Sequence, residues 1–262
     1  KSGLYSKSGV AHRDMVNALA FSPDGSLLAS GDYRLVKLWQ RERAENRQDF
    51  KADGLAPATA LEVQDHGKRI VTGHADGRVV LWSPDSGIVR TQWQAHGHAI
   101  RSLELSPDGT RLATASGSPR VGLWDAATGT SNFWLITPSP VQALAWTRDG
   151  KRLATAHADS QLRIWKFPEA GETNASLVKE WKAHEGAVTA LASHPENPQR
   201  LVSGGVEGSV RLWDVEKGEL LKKMDQGGAV TCVTFRPDGK RIASAGSNAV
   251  ARVWNEDDGK MI

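Results

Sequence analysis

The chain has 262 residues, with 33 Lys and Arg against 30 Asp and Glu, a formal net charge of +3, and one cysteine, Cys232. The single cysteine excludes an internal disulfide. No apolar run approaches the roughly 18 residues of a membrane helix, and no cluster of five or more Lys and Arg marks a nucleic-acid footprint.

In chain order, residues 15–21 (M-V-N-A-L-A-F) read as an inner strand, and Ser22-Pro23-Asp24-Gly25 as a turn in which Pro presets its backbone angle and Gly tolerates positive φ. Residues 27–31 make a second strand, residues 35–39 a third ending at Trp39, and residues 48–51 a more polar fourth. The turn recurs at Ser106-Pro107-Asp108-Gly109, Thr147-Arg148-Asp149-Gly150 and Arg236-Pro237-Asp238-Gly239, each before an Ala-containing second strand. Six tryptophans close similar phrases: Trp39, Trp82, Trp124, Trp165, Trp213 and Trp254, at intervals of 43, 42, 41, 48 and 41 residues. The long interval matches a loop over residues 167–176. A period of about 40–45 residues with four short strands per unit predicts a β-propeller, because one four-stranded sheet cannot cover both its faces and radial neighbours can. The expectation is one all-β domain over residues 1–262, a propeller of six four-stranded blades, with residues 1–10 supplying the outer strand of the last blade.

These phrases resemble WD-repeat β-propellers over nearly the whole chain. The resemblance implies, in each blade, a hydrogen-bonded set of His, Ser or Thr, Asp and Trp. The Ser/Thr position is filled by Ser30, Thr72, Thr114, Thr155, Ser203 and Ser244, the His position by His12, His96 and His184, and the Asp position by Asp76 and Asp159. No blade has all four; Gly54 and Thr137 stand where the Asp-bearing blades would carry His. The opening phrase also resembles WD-repeat regions of large bacterial proteins joined to c-type cytochrome domains, although this chain has no C-x-x-C-H motif.

For catalysis the sequence offers little. No nucleophile elbow or Gly-rich phosphate loop stands in a recognisable context, and five inner-strand phrases contribute only Arg101 and Glu104 as charges. His96-Gly97-His98 lacks the converging ligands of a zinc site, and Cys232 reads as a small apolar strand residue. No cofactor and no metal are expected. Arg163, Arg211 and Arg252, each two residues before a Trp, read as a structural or solvated position, and Trp93, Trp134 and Trp181 as packing between blades.

The expected function is a non-catalytic scaffold that binds a protein or peptide through loops before the inner strands and turns after the second strands, where residues are released from packing. Asp14, Tyr33, Arg34, His74, His98, Pro119, Arg120, Ser139, His157, Glu185 and Val206 are the candidate contacts. The alternatives are a propeller module of a larger sensor or redox protein, and a metal-dependent propeller hydrolase or lactonase. Nucleic acid, membrane insertion and a small-molecule substrate are not expected. The compartment is left open, with the cytoplasm favoured over the periplasm.

Overall fold

The computed structural model describes residues 18–21, 27–31, 36–40, 50, 54–64, 68–167 and 175–262. Among them are 22 strands and no helix long and apolar enough to cross a membrane. The strands form sequential antiparallel sheets: β1–β3 (Ala18–Phe21, Leu27–Gly31, Val36–Gln40), β4–β7 (Ala58–Gln64, Arg69–His74, Arg78–Trp82, Val89–Gln94), β8–β11 (Ser102–Leu105, Arg111–Ala115, Arg120–Asp125, Ser131–Ile136), β12–β15 (Val141–Trp146, Arg152–His157, Gln161–Lys166, Ser176–Lys182), β16–β19 (Val188–Ser193, Arg200–Gly205, Ser209–Asp214, Glu219–Asp225) and β20–β22 (Val230–Phe235, Arg241–Gly246, Ala251–Asn255).

This corrects the expectation of six four-stranded blades. Five blades, β4 to β22, carry described side chains, four with four strands and the last with three, and the sheet β1–β3 has three strands among the described residues. In the last blade residues 261–262 pair with the outer edge of β22, through a bridge between Trp254 and Met261 and a bond from the Ile262 amide to the Val253 carbonyl. The expected closing strand at residues 1–10, together with His12, Asp14, Tyr33 and Arg34, lies outside the described residues.

The chain divides into two compact units, Lys1–Leu103 with Ala127–Thr130, and Glu104–Ala126 with Ser131–Ile262. In the first, β4 packs beside β1 and β2, and a core forms from Phe50, Leu61, Val63, Ile70, Val80 and Trp82. In the second, the inner strands of successive sheets lie side by side, β12 against β16 and β16 against β20. Each inter-sheet core is built from the two facing sheets: Ala113, Val121, Leu123 and Leu135 meet Leu144, Trp146, Leu153 and Trp165 in one, and Ala190, Val202, Val210 and Met224 meet Val233, Phe235, Ile242 and Trp254 in another.

The second strands pack this closely because their side chains are small. At Gly204 a Cβ would fall 2.3 Å from Val230 Cγ1, so the inner strand of the next sheet occupies the space that any side chain would need. At the closing Trp of each four-stranded sheet the fourth strand carries one extra residue, Arg90, Asn132, Val178 or Leu221, where its pairing with the third strand shifts register. Such an extra residue bends the strand and re-aims the side chain beside it.

One repeated residue was not read from the sequence. The second strands of all five later blades begin with Arg: Arg69, Arg111, Arg152, Arg200 and Arg241. Within the second unit these arginines join one blade to the next. Arg111 donates to the Gly150 carbonyl at 2.8 Å and lies 4.7 Å over the Trp146 ring, Arg152 is 3.9 Å from Glu216, and Arg200 pairs with the buried Glu256.

The turn between β21 and β22 carries strain. Ala249 has φ 59°, where the matching turns place Gly77 at 84° and Gly208 at 87°. A Cβ in the left-handed region meets its own carbonyl. Ala249→Gly should therefore raise the unfolding free energy by about 0.5–1 kcal/mol. Denaturant midpoints check this, and a lower midpoint for the variant contradicts it.

Candidate functional site

The repeated polar network comes first, because it decides which residues remain for a partner. In every described blade from β5 onward the Trp indole donates to the Ser or Thr of the second strand: Trp82 to Thr72 and Trp124 to Thr114, both at 2.8 Å, Trp165 to Thr155 at 2.9 Å, Trp213 to Ser203 at 2.8 Å, and Trp254 to Ser244 at 2.7 Å. These hydroxyls are buried, so their own protons need acceptors.

The acceptor changes from blade to blade. His184 fills its expected position: its Nε2 lies 2.7 Å from Ser203 Oγ and its Nδ1 2.5 Å from Glu207, so Glu207 does the work of the missing Asp. In two of the three described blades where no His precedes the inner strand, one at the end of the second strand replaces it. His74 Nε2 is 2.8 Å from Thr72 Oγ1 and its Nδ1 donates to the Ala56 carbonyl at 2.7 Å; His157 Nε2 is 2.6 Å from Thr155 Oγ1 and its Nδ1 donates to the Ser139 carbonyl at 2.9 Å. In the last blade Gln226 accepts from Ser244 at 2.6 Å and donates to the Val250 carbonyl at 2.7 Å. Two sequence signals reveal these substitutes. Gln226-Gly-Gly-Ala-Val aligns with His184-Glu-Gly-Ala-Val, and Thr-x-His occurs only in the two blades that carry Gly54 and Thr137 before the inner strand.

Asp76 and Asp159 serve arginines rather than His. Asp76 accepts from the Arg78 side chain at 2.6 Å and Asp159 from Arg163 at 2.7 Å, while Glu180 holds the other side of Arg163 at 3.0 Å. Partial burial pushes the Asp159 carboxyl up, but the bonds from Arg163 and the Gln161 amide outweigh it and hold it below the usual carboxylate range. Arg163 is buried, and Arg211 donates to Ser209 and to the Ala183 carbonyl.

The candidate contacts therefore separate. His74, Ser139 and His157 are buried in the network and present no side chain to a partner. His98, Pro119, Arg120, Glu185 and Val206 are exposed. Those in the second unit sit on braced loops. The Val206 amide bonds to the Ala187 carbonyl, the Thr137 amide to Pro119 and the Val141 amide to Ser118, so each turn after a second strand is tied to the loop before an inner strand. Glu185 pairs with Lys182 at 2.8 Å, and that bond holds its carboxyl below its ordinary range.

The inner strands carry one charge beyond those read from the sequence, Glu62 in β4. Glu104 on β8 is half-buried, and burial pushes its carboxyl up to about 8. Among the described residues no group of three or more His, Cys, Asp and Glu converges to hold a metal ion. The outer-strand tryptophans lie on the closing ones: Trp134 meets Trp124 edge-on at 5.5 Å, and Trp181 meets Trp213 at 5.8 Å.

Comparison with known proteins agrees with this architecture. A family model described as the IFT122 first β-propeller matches residues 15–262. Telomerase protein component 1 of Mus musculus is 29% identical over 246 residues, covering 91% of this chain and 9% of that protein. Cilia- and flagella-associated protein 52 of Chlamydomonas reinhardtii is 30% identical over 189 residues, 71% of this chain and 29% of that protein. Striatin-4 of Mus musculus is 23% identical over 277 residues, 95% of this chain and 36% of that protein. The chain thus spans well under two thirds of these relatives. All three are eukaryotic, so the comparisons support a WD-repeat propeller and give no support to the expected bacterial, cytochrome-linked type.

Proposed function

The chain belongs to the WD-repeat β-propeller family, in the group of the IFT122 first β-propeller, and on that premise we propose that it is a non-catalytic scaffold holding a protein or peptide on the loops beside its inner strands. Propellers of this kind typically serve as protein-interaction scaffolds. The observation that carries the reading is the division of labour at the loop ends. His, Ser, Thr, Gln and Trp are consumed by the buried relay, while Pro119, Glu185 and Val206 on the loops and Arg120 at the start of β10 stand exposed beside braced backbone. A braced loop loses little conformational entropy when it binds. Tyr33 and Arg34 are proposed for the same role from their sequence position.

The test is crosslinking and affinity capture from the native source, comparing the wild type with a Glu185→Lys/Val206→Lys double variant. A partner held by the wild type should be lost from the variant while the melting temperature stays within a few degrees. A partner retained equally by both places the binding surface elsewhere, and turnover of ester or lactone substrates would overturn the scaffold reading itself.

A further inference from the structure

The sheet β8–β11 departs from its four-stranded sister sheets at residues 118, 134 and 136. In the sister sheets the outward positions of the fourth strand are polar. Gln94 and Gln92 stand opposite Arg78 and Val80, Lys182 and Glu180 opposite Gln161 and Arg163, and Asp225 and Lys223 opposite Ser209 and Arg211. In β11 the same two positions are Ile136, opposite Arg120, and Trp134, opposite Gly122. Ile136 is 61% exposed and Trp134 40%, although Trp134 also rests edge-on against Trp124.

The charge balance departs at the same place. Two residues before its third strand begins, each sister sheet with four strands has an acid: Asp76, Asp159 or Glu207. Asp76 neutralises Arg78, which occupies the position of Arg120. This sheet has Ser118 there, its hydroxyl turned to Ser116 at 3.3 Å, and Arg120 is exposed with no ion pair among the described residues. Pro119 and Pro138 flank these residues, and the bonds from the Thr137 amide to Pro119 and the Val141 amide to Ser118 fix their backbone.

We propose that Arg120, Trp134 and Ile136 form a docking point for an extended protein segment in which a carboxylate side chain neighbours an aliphatic or aromatic one. The segment's carboxylate takes the place of the acid absent at residue 118, and its apolar neighbour covers Ile136 and the open side of Trp134. Charge complementarity selects this occupant, because a guanidinium that has lost its built-in acid gains most from a carboxylate supplied by a ligand. Exposed Trp and Arg together are also the side chains that most often dominate binding energy. The proposal rests on the scaffold reading and names the chemistry of one partner.

The probes are fluorescein-labelled nonapeptides with a central Glu-Leu or Asp-Phe pair in a Ser/Gly background, and the same peptides with Gln or Asn replacing the acid, followed by fluorescence polarisation. The acidic peptides should bind about tenfold or more tightly than their amide counterparts. Arg120→Glu should abolish that preference and favour a Lys-Leu peptide. Trp134→Gln and Ile136→Gln should each weaken binding; β7 carries Gln92 and Gln94 at the matching positions, so both variants should fold, and their melting temperatures verify it. Equal affinity for acid and amide peptides, no binding of any peptide, or indifference to Arg120→Glu overturns the proposal. If a captured partner survives Arg120→Glu but is lost with Glu185→Lys/Val206→Lys, the docking point is wrong and the scaffold reading stands.

Discussion

Replacing Trp165 by Ala is expected to lower the unfolding free energy by about 3–5 kcal/mol. The indole fills the space between β12–β15 and the sheet before it, in a cluster with Trp146, Leu153 and Phe167, and is only 6% exposed. Its removal leaves a cavity whose walls are strands tied on both sides by backbone ladders, so relaxation is limited. It also takes away the donor at 2.9 Å from Thr155 Oγ1, which sits in a fully buried relay with His157. Trp165→Phe separates the two losses, because it retains most of the volume and removes only the N–H. The Phe variant should fall by about 1–2 kcal/mol, the cost of one buried hydrogen bond with some packing. Urea unfolding of the three proteins at neutral pH measures both steps. An Ala variant within 1 kcal/mol of the wild type, on the scale of an exposed substitution, would show that the indole is not the inter-blade keystone described here.

The architecture was legible because one physical requirement repeats. A residue that must fill the gap between adjacent sheets recurs as Trp at each blade, and the tight turns before the second strands recur with it. The strand count per blade was not legible to the same degree. Inner strands bury their main apolar residues and read as apolar phrases, whereas an outer strand is an exposed edge. β15 (S-L-V-K-E-W-K) and β19 (E-L-L-K-K-M-D) mix apolar residues with lysines and acids and resemble solvated loops as much as strands. Nothing in the phrase ending at Trp254 says whether a fourth strand follows, and the structure shows an isolated bridge to Met261 there.

The site was legible by position but not by burial. His74 and His157 fall in turns where an exposed residue is expected, yet each folds back onto a threonine two residues earlier. The imidazole of the network can come from the loop before the inner strand or from the end of the second strand, because both points lie within reach of the same hydroxyl. The reading assigned it to the loop alone and so left these two histidines apparently free. Ile136 and Trp134 were missed as a pair for a different reason. Their meaning depends on cross-strand register with Arg120 and Gly122, and register cannot be read from spacing along one strand.

The same substitution of one network residue for another gives a pH experiment with a built-in control. Burial drives the His157 pKa down from 6.5 to about 4, and it lowers His74 and His184 in the same direction. A base whose folded pKa lies below its unfolded one binds fewer protons when folded. Its stabilising contribution is complete above pH 6.5, declines as pH falls, and is lost at about 4. For His157 alone the full decline is about 3 kcal/mol. Glu104 acts with the opposite sign: its folded pKa of about 8 lies above the ordinary 4.5, so its contribution is complete below 4.5 and lost as pH rises to about 8. The two trends overlap between pH 5 and 7, so the raw stability profile of the wild type does not isolate either. The difference between wild type and His157→Gln does. Gln226 already performs the acceptor-and-donor role for Ser244, so glutamine suits the site chemically and does not titrate. The wild type should lose stability relative to His157→Gln by about 3 kcal/mol between pH 7.5 and 4. Relative to Glu104→Gln, it should instead lose stability on going from pH 5 to 8. Parallel profiles for wild type and His157→Gln would mean that the imidazole is not held neutral between Thr155 and the Ser139 carbonyl, and that the relay is wired differently in solution.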